Sequence, residues 1–291
     1  MFRLYRFEKS RYVFTALATV TVVCLAGIFF FLASVGLGAF RQISLREFLF
    51  GLVWNPTAYG SVSWGIGALL MGTVLVSVTA LVVAVPIGLA VAIYLSELAS
   101  PRAREFIKPA VEMISSIPSV VLGLLGLLFF APLIARLFGL TNALNALTAA
   151  LLVAIAALPT IASICDDALS SVPARYREAS LALGASQWET IRKAVLPAAK
   201  SGLLAGILLG FARIIGETMI VLMVAGNSVA FPRSLLDPVR PLAANIAIEI
   251  KEVVIGSLHW QALFAIGLML FMLTFILNLL ADVLVRKKLK A

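Results

Sequence analysis

The amino-acid sequence predicts an all-α membrane protein with six transmembrane helices and both termini in the cytoplasm. Three observations carry this. The 291 residues are 62% hydrophobic and only 13% charged, about half the charged fraction of a soluble domain. The charges are also clumped, with none in 12–40, 48–96, 113–135, 137–165 or 253–281. About 20 apolar residues suffice to cross a bilayer as a helix, so each gap has room for one. Finally, lysine and arginine gather in alternate loops.

The spans expected in order are 12–38, 65–95, 116–138, 145–165, 200–227 and 260–285. The first follows basic residues and ends in small ones, as a signal peptide does. Its apolar run is about twice the length of a signal core, so an uncleaved helix is expected. The second follows a turn-like stretch, "NPTAYGSVS" (55–63). Pro86, Pro118, Pro132 and Pro159 lie within spans, where neighbouring helices can satisfy freed carbonyls and kinks are expected. Asp166, Asp167 and Arg136 fall at span ends and are expected at the interface. Sixteen of the 23 basic residues fall in the N-terminal segment, 96–115, 166–200 and the C-terminal tail. That imbalance places both termini inside. The net charge of +9 is then a topology signal, and no nucleic-acid partner is expected.

Several chemistries are excluded. The sequence lacks GxxxxGK[ST], HExxH and GxSxG, so no nucleotide cradle or familiar hydrolytic site is expected in this chain. Cys24 and Cys165 show no pairing motif, and the single histidine, His259, stands beside Trp260 as an expected interfacial pair. No metal site is expected. The two halves show no convincing repeat, which disfavours the inverted-repeat carriers.

Two stretches carry the functional signal. The first is the loop 166–200, "DDALSSVPARYREASLALGASQWETIRKAVLPAAK". Pro173 opens a helix, Gly184 breaks it, and a second short helix ends before Pro197. Small residues at Ala179, Ala182 and Ala185 with flanking charges make a knob that a partner's groove can hold, or an amphipathic linker lying on the membrane. The second is "GFARIIGETMIVLM" (210–223), where Arg213 and Glu217 stand one turn apart inside a span. A central charge costs ~3 kcal/mol, and each large apolar residue returns ~0.3–0.6. The 12 Leu, Ile, Phe and Val residues of 201–224 therefore return roughly 4–7 kcal/mol, which about offsets two charges. Arg213 lies 16 residues beyond Pro197, or ~24 Å along a helix, too deep to reach back to the surface. Gly202, Gly206 and Gly210 form a tandem GxxxG packing face, and the heptad offset puts Arg213 over Gly206 and Glu217 over Gly210. The charges therefore point into the bundle. One reading is a buried ion pair pinning helices together. The other is an anion path, in which the planar Arg213 fork takes oxyanion oxygens while Glu217 holds it or yields to the anion. A third, from another class, is a secondary carrier in which Glu217 takes a proton.

The 166–200 loop resembles the EAA loop of ABC importer permeases: Glu178, Ala179, Gly184, Leu196 and Pro197 stand at its spacings. Ser180 replaces the second alanine, and Ala194 stands where the pattern has isoleucine. The resemblance implies a type I ABC importer permease of MetI-like architecture. It also implies a docking site for a separate ATPase subunit dimer, which would bind ATP and Mg²⁺, at Arg177, Glu178, Ala179, Ala182, Gly184 and Pro197. Arg175 and Arg177 are expected either to pair with that subunit or to lie at lipid head groups. "RIIGETMIVLMVAGNS" and "PLAANIAIEIKEVVIGSLHWQAL" (241–263) further resemble the phosphate importer permeases, PstC-like more than PstA-like. That implies phosphate as substrate, with Arg213, Glu217, Thr218 and Asn227 on its path. Other implied partners are a second, PstA-like permease, PstB-like ATPases and an extracytoplasmic PstS-like binding protein. Sulfate or molybdate is the alternative cargo. The implied organisation is a peripheral helix and outer loop (1–64), a permease core (65–285) and a basic tail (286–291), in a bacterial or archaeal inner membrane.

Overall fold

The computed structural model describes residues 2–57 and 60–288, with side chains described over 11–57 and 60–283. Of the expected tail 286–291, residues 289–291 lie outside the described residues. The helices run α1 (Phe2–Gly36), α2 (Leu45–Phe50), α3 (Gly67–Ile93, prolonged by a π turn Tyr94–Leu98), α4 (Pro101–Ser116) and α5 (Ser119–Leu125). A π turn, Gly126–Phe130, joins α5 to α6 (Ala131–Phe138), and α7 follows (Ala146–Ser170). Then come α8 (Ala174–Ala182), α9 (Gln187–Thr190), a π turn Ile191–Val195, α10 (Leu196–Ile215), α11 (Met219–Val224), α12 (Leu242–Glu249) and α13 (Leu258–Lys288). A two-residue hairpin, β1 (Trp54–Asn55) against β2 (Ser63–Trp64), caps one end of the bundle. That end is called the hairpin end below, and the opposite one, bearing α4, α8 and α9, the loop end.

Six described stretches are long and apolar enough to cross a membrane: Arg11–Arg41, Gly67–Leu98, Ser119–Phe138, Ala146–Ser170, Gln187–Ile215 and Leu258–Val283. Five match the sequence expectation closely. The fifth differs at both ends. It begins in the loop rather than at residue 200, because α9, the π turn and α10 form one rod. The N–H of Leu196 bonds back to the carbonyl of Ile191, and Pro197 takes an opening position of α10, where a missing N–H costs least. The predicted stop before Pro197 is therefore corrected. The expected end at 227 is also corrected, because α10 stops at Ile215.

The bundle is built around α7. In lipid there is little hydrophobic drive between helices, so small residues that allow close approach decide the packing. Ala149, Ala150, Ala154, Ala157 and Ala162 on α7 are all buried, as are Ala80, Ala84 and Ala92 on α3. Glycines complete the fit. A Cβ at Gly88 would come within 2.8 Å of Ile161, and one at Gly210 would overlap the same side chain. Gly202 and Gly206 likewise abut Ala168 and Ile164–Cys165. The stripe 202–206–210 thus runs antiparallel along α7. Outside this core, Gly36 of α1 sits against the backbone of Ala265 on α13.

At the loop end, Asp166 is fully buried and takes Arg104 at 3.0 Å and Lys108 at 2.9 Å. Lys108 also reaches Asp167 at 3.1 Å. Asp166 lies near the end of its span as expected, but it is covered there: α4 lies across the end of α7 and brings two cations to it. The hydrogen bond that Lys108 donates to Asp166 raises the Lys108 pKa above its ordinary value despite burial.

Gly210→Ala is expected to lower stability by about 1–3 kcal/mol, the usual cost of overpacking a filled core. Thermal unfolding in detergent should show a clear drop in midpoint. An unchanged midpoint would mean that α10 and α7 are not in close contact here.

Candidate functional site

Arg213 lies two residues before the end of α10, exposed in the isolated chain. Its Nε donates to the Ala156 carbonyl of α7 at 3.2 Å. This contact is one residue past Ile155, whose carbonyl loses its helical donor to Pro159. The two terminal NH₂ groups have no partner among the described residues. A planar, permanently charged fork is thus anchored by one nitrogen, with its outer donors unspent.

Beyond Ile215 the helix breaks. Gly216 closes the α ladder by donating to the Ala212 carbonyl at 3.1 Å, Glu217 N–H reaches back only to Ile214 at 3.2 Å, and α11 begins at Met219. Glu217 Oε1 accepts from the N–H groups of Met219 (3.2 Å) and Ile220 (3.3 Å). Thr218 Oγ1 donates to the Gly216 carbonyl at 3.3 Å. No ion pair joins Arg213 to Glu217 in the described chain. The expectation that Glu217 stacks over Gly210 on one continuous helix is corrected. The break changes the electrostatics, because the cation now sits at a helix C-terminus and the anion at a helix N-terminus. Each arrangement is favourable by about 0.3–1 kcal/mol.

Asn227 follows Gly226 in a left-handed turn, with φ of 53° and 88° respectively. Its Nδ2 donates to the Leu222 carbonyl at 2.8 Å, and its own carbonyl accepts from Arg240 Nε at 2.9 Å. Asn227 therefore holds the turn after α11, and among the described residues no hydrogen bond joins it to Arg213.

Sequence reasoning missed the polar cluster at the hairpin end. Glu249 accepts from Trp54 Nε1 (3.0 Å) and Arg240 (3.1 Å) and meets His259 Nε2 at 2.8 Å. His259 packs edge-on against Trp54 and Trp64, so its expected interfacial pairing with Trp260 is corrected. The signal available was the acidic–apolar alternation of 245–252. A cavity of about 310 Å³ opens beside the cluster. Among the described residues no group of three or more His, Cys, Asp or Glu could hold a metal ion.

At the loop end, Glu178, Ala179, Ala182 and Gly184 are all exposed, and Leu183 at the tip is 90% exposed. Gly184 holds φ of 84°, a conformation that glycine adopts without strain. Ser186 and Glu189 then form a capping box that starts α9. Ser180, a departure from the EAA pattern, meets Thr190 at 2.9 Å and ties α8 to the rod. Ala194 is only half-buried, while Ile191 and Val195 are buried and anchor the rod. Arg177 is not free: its guanidinium is engaged by Glu97. Within the chain, then, the charge expected to meet a partner subunit or head groups already has a carboxylate partner. Arg175 lies over Tyr176 instead.

The geometry is that of a bundle of six long apolar helices with an exposed loop continuous with a broken span. The chain belongs to the family of binding-protein-dependent transport system inner membrane components, which it matches over residues 84–290. It is a permease subunit of an ABC importer, a non-enzymatic membrane component. It is 35% identical to the probable ABC transporter permease protein YqgH of Bacillus subtilis, over 94% of this chain and 88% of that one. It is 34% identical to the phosphate transport system permease protein PstC of Mesorhizobium japonicum, over 91% and 86%. PstC of Haemophilus influenzae is also 34% identical, over 93% and 90%. The fold is similar to that of the MetNI methionine ABC transporter in an inward-facing crystal form, with a TM-score of 0.55 at 21% identity. That match covers 77% of this chain and 94% of that one.

Gly226→Ala is expected to cost at least about 1–2 kcal/mol from the left-handed backbone alone. A Cβ there would also lie 2.8 Å from the Leu144 carbonyl oxygen. Thermal unfolding of the detergent-solubilised chain reads the loss. Unaltered stability would show that the turn accommodates a side chain.

Proposed function

We propose that this permease carries inorganic phosphate into the cytoplasm by alternating access, with Arg213 on the anion's path. The single observation that carries the reading is the Arg213 fork. It is anchored through Nε alone, its outer donors are open at a helix break, and the chain around it is similar to PstC. Phosphate oxygens suit those donors in a paired, charge-assisted geometry. Glu217, spent on capping α11, holds the break open beside the arginine, and Thr218 offers a hydroxyl at the same point. The Asn227 turn fixes the outer end of α11.

In this reading the loop end faces the cytoplasm, as do both termini, in keeping with the excess of lysine and arginine there. The exposed face of α8, with Glu178, Ala179, Ala182 and Leu183, docks an ATPase dimer (PstB-like), which holds ATP and Mg²⁺. A PstA-like permease completes the pathway, and a PstS-like binding protein delivers phosphate at the hairpin end. Because α9, the π turn and α10 form one rod, movement of the docked loop reaches Arg213 without an intervening hinge.

The test is phosphate uptake into vesicles holding the full complex. Arg213→Gln should lower uptake about tenfold or more, the scale of losing hydrogen bonds to a charged group, while ATPase subunits stay bound. Near-wild-type uptake would return Arg213 to a structural role. Inhibition by excess sulfate or molybdate rather than phosphate would reassign the cargo. Uptake driven by a proton gradient without ATP would reject the importer mechanism for a carrier one.

A further inference from the structure

The last turn of α3 is gripped from three directions. Its π turn brings Glu97 inward, with the side chain only 7% exposed. Arg177 of α8 meets that carboxylate with two donors, Nε to Oε2 at 3.0 Å and Nη2 to Oε1 at 2.5 Å. The same guanidinium donates through Nη1 to the Val172 carbonyl (2.7 Å) and through Nη2 to the Leu169 carbonyl (3.0 Å) at the end of α7. From α9, Gln187 Nε2 donates to the Glu97 backbone carbonyl at 2.9 Å. From α4, Arg104 donates to the Leu95 carbonyl at 2.9 Å while bound to Asp166.

The chemistry of this cluster goes beyond closing helix ends. Water or a single cap would satisfy the last carbonyls of a helix. Here one planar fork bonds a carboxylate on α3 and two carbonyls at the end of α7 at once, which fixes its position in both planes. The hydrogen bond to Glu97 holds the Arg177 guanidinium above its ordinary pKa, against the opposing effect of burial. The guanidinium itself is charged at any physiological pH. Breaking the contact would leave Glu97 almost buried without a counter-charge, a costly state. The docking helix thus cannot shift relative to α3 and α7 without breaking the four hydrogen bonds that this one side chain makes.

We infer that Glu97 and Arg177 form a mechanical latch that makes the docking loop and the loop-end turns of α3 and α7 move as one body. Glu97 is a positioning residue: it touches no substrate and acts by converting displacement of α8 into displacement of the spans. The inference rests on the reading of α8 as the ATPase docking helix, and that reading has its own readout. Leu183→Arg should release the ATPase subunits and leave the latch intact.

The experiment compares the wild-type complex with Glu97→Gln and Arg177→Lys in vesicles, recording ATP hydrolysed and phosphate taken up together. Glutamine keeps the shape but not the charge, and lysine keeps the charge but cannot reach the carboxylate and both carbonyls. Both variants are expected to retain their ATPase subunits while phosphate moved per ATP falls about tenfold, as for loss of a charge-assisted hydrogen bond. Glu97→Asp should restore most of the ratio. An unchanged ratio in both variants overturns the latch, and so does loss of the ATPase subunits, which would make Arg177 a docking residue. A second measurement needs no variant of the latch. Spin labels at Leu98 and Leu181 should keep their separation between nucleotide-free and ATP-trapped wild-type complex. A change of about 5 Å, one helical turn, would overturn the inference even if the variants fail to assemble. A wild type that hydrolyses ATP but moves no phosphate would reject the cargo and leave the label test standing.

Discussion

Ile161 stands between two helices that have no side chain to offer it. Gly88 of α3 and Gly210 of α10 both leave space for it, and this close approach on α7 sets the rest of the architecture. In lipid the gain from packing comes from dispersion and from backbone proximity rather than from expelling water. Three helices held this closely fix their own axial positions. One consequence is that Arg213, just beyond Gly210, comes level with Ala156 and its carbonyl. Another is that Asp166, at the far end of α7, comes level with the cations of α4.

The treatment of charge follows the same constraint. The sequence places two charges in one span, and as a continuous helix that span would carry both at mid-membrane. The structure divides the load: α10 ends under the arginine, and α11 begins over the glutamate. Each backbone terminus that the break exposes meets a side chain of opposite sign, so the interruption lowers the cost of the charges that surround it. Non-helical backbone within a span is tolerated where it lines a cavity or is buried in protein.

The two ends of the molecule share a logic with different partners. At the hairpin end, Glu249 gathers an indole, a guanidinium and an imidazole from the hairpin, the 226–241 segment and α13. At the loop end, Asp166 and Glu97 gather cations from α4 and α8. Four short or surface elements are tied to the bundle by carboxylates that are nearly buried. The bundle supplies depth and position, and the polar clusters attach the loops to it.

The six spans, the loop with its glycine break, and the arginine and glutamate of the apolar stretch 210–223 are all legible in the order of residues. These features are local: they depend on runs of apolar residues and on spacings along the chain. That the rod begins at Gln187 was not legible, because Pro197 looks like a stop unless the π turn before it is known. The break at Gly216 was equally hidden, since the apolar run of "RIIGETMIV" resumes directly after its Gly-Glu-Thr. Arg177 read as a docking charge because its partner lies 80 residues away, and Asp166 read as interfacial because α4 meets it from 58 and 62 residues away. Partners at such separations follow from how helices pack. Which charges face outward and which are already taken is therefore settled by the packed bundle, not by the chain's local pattern.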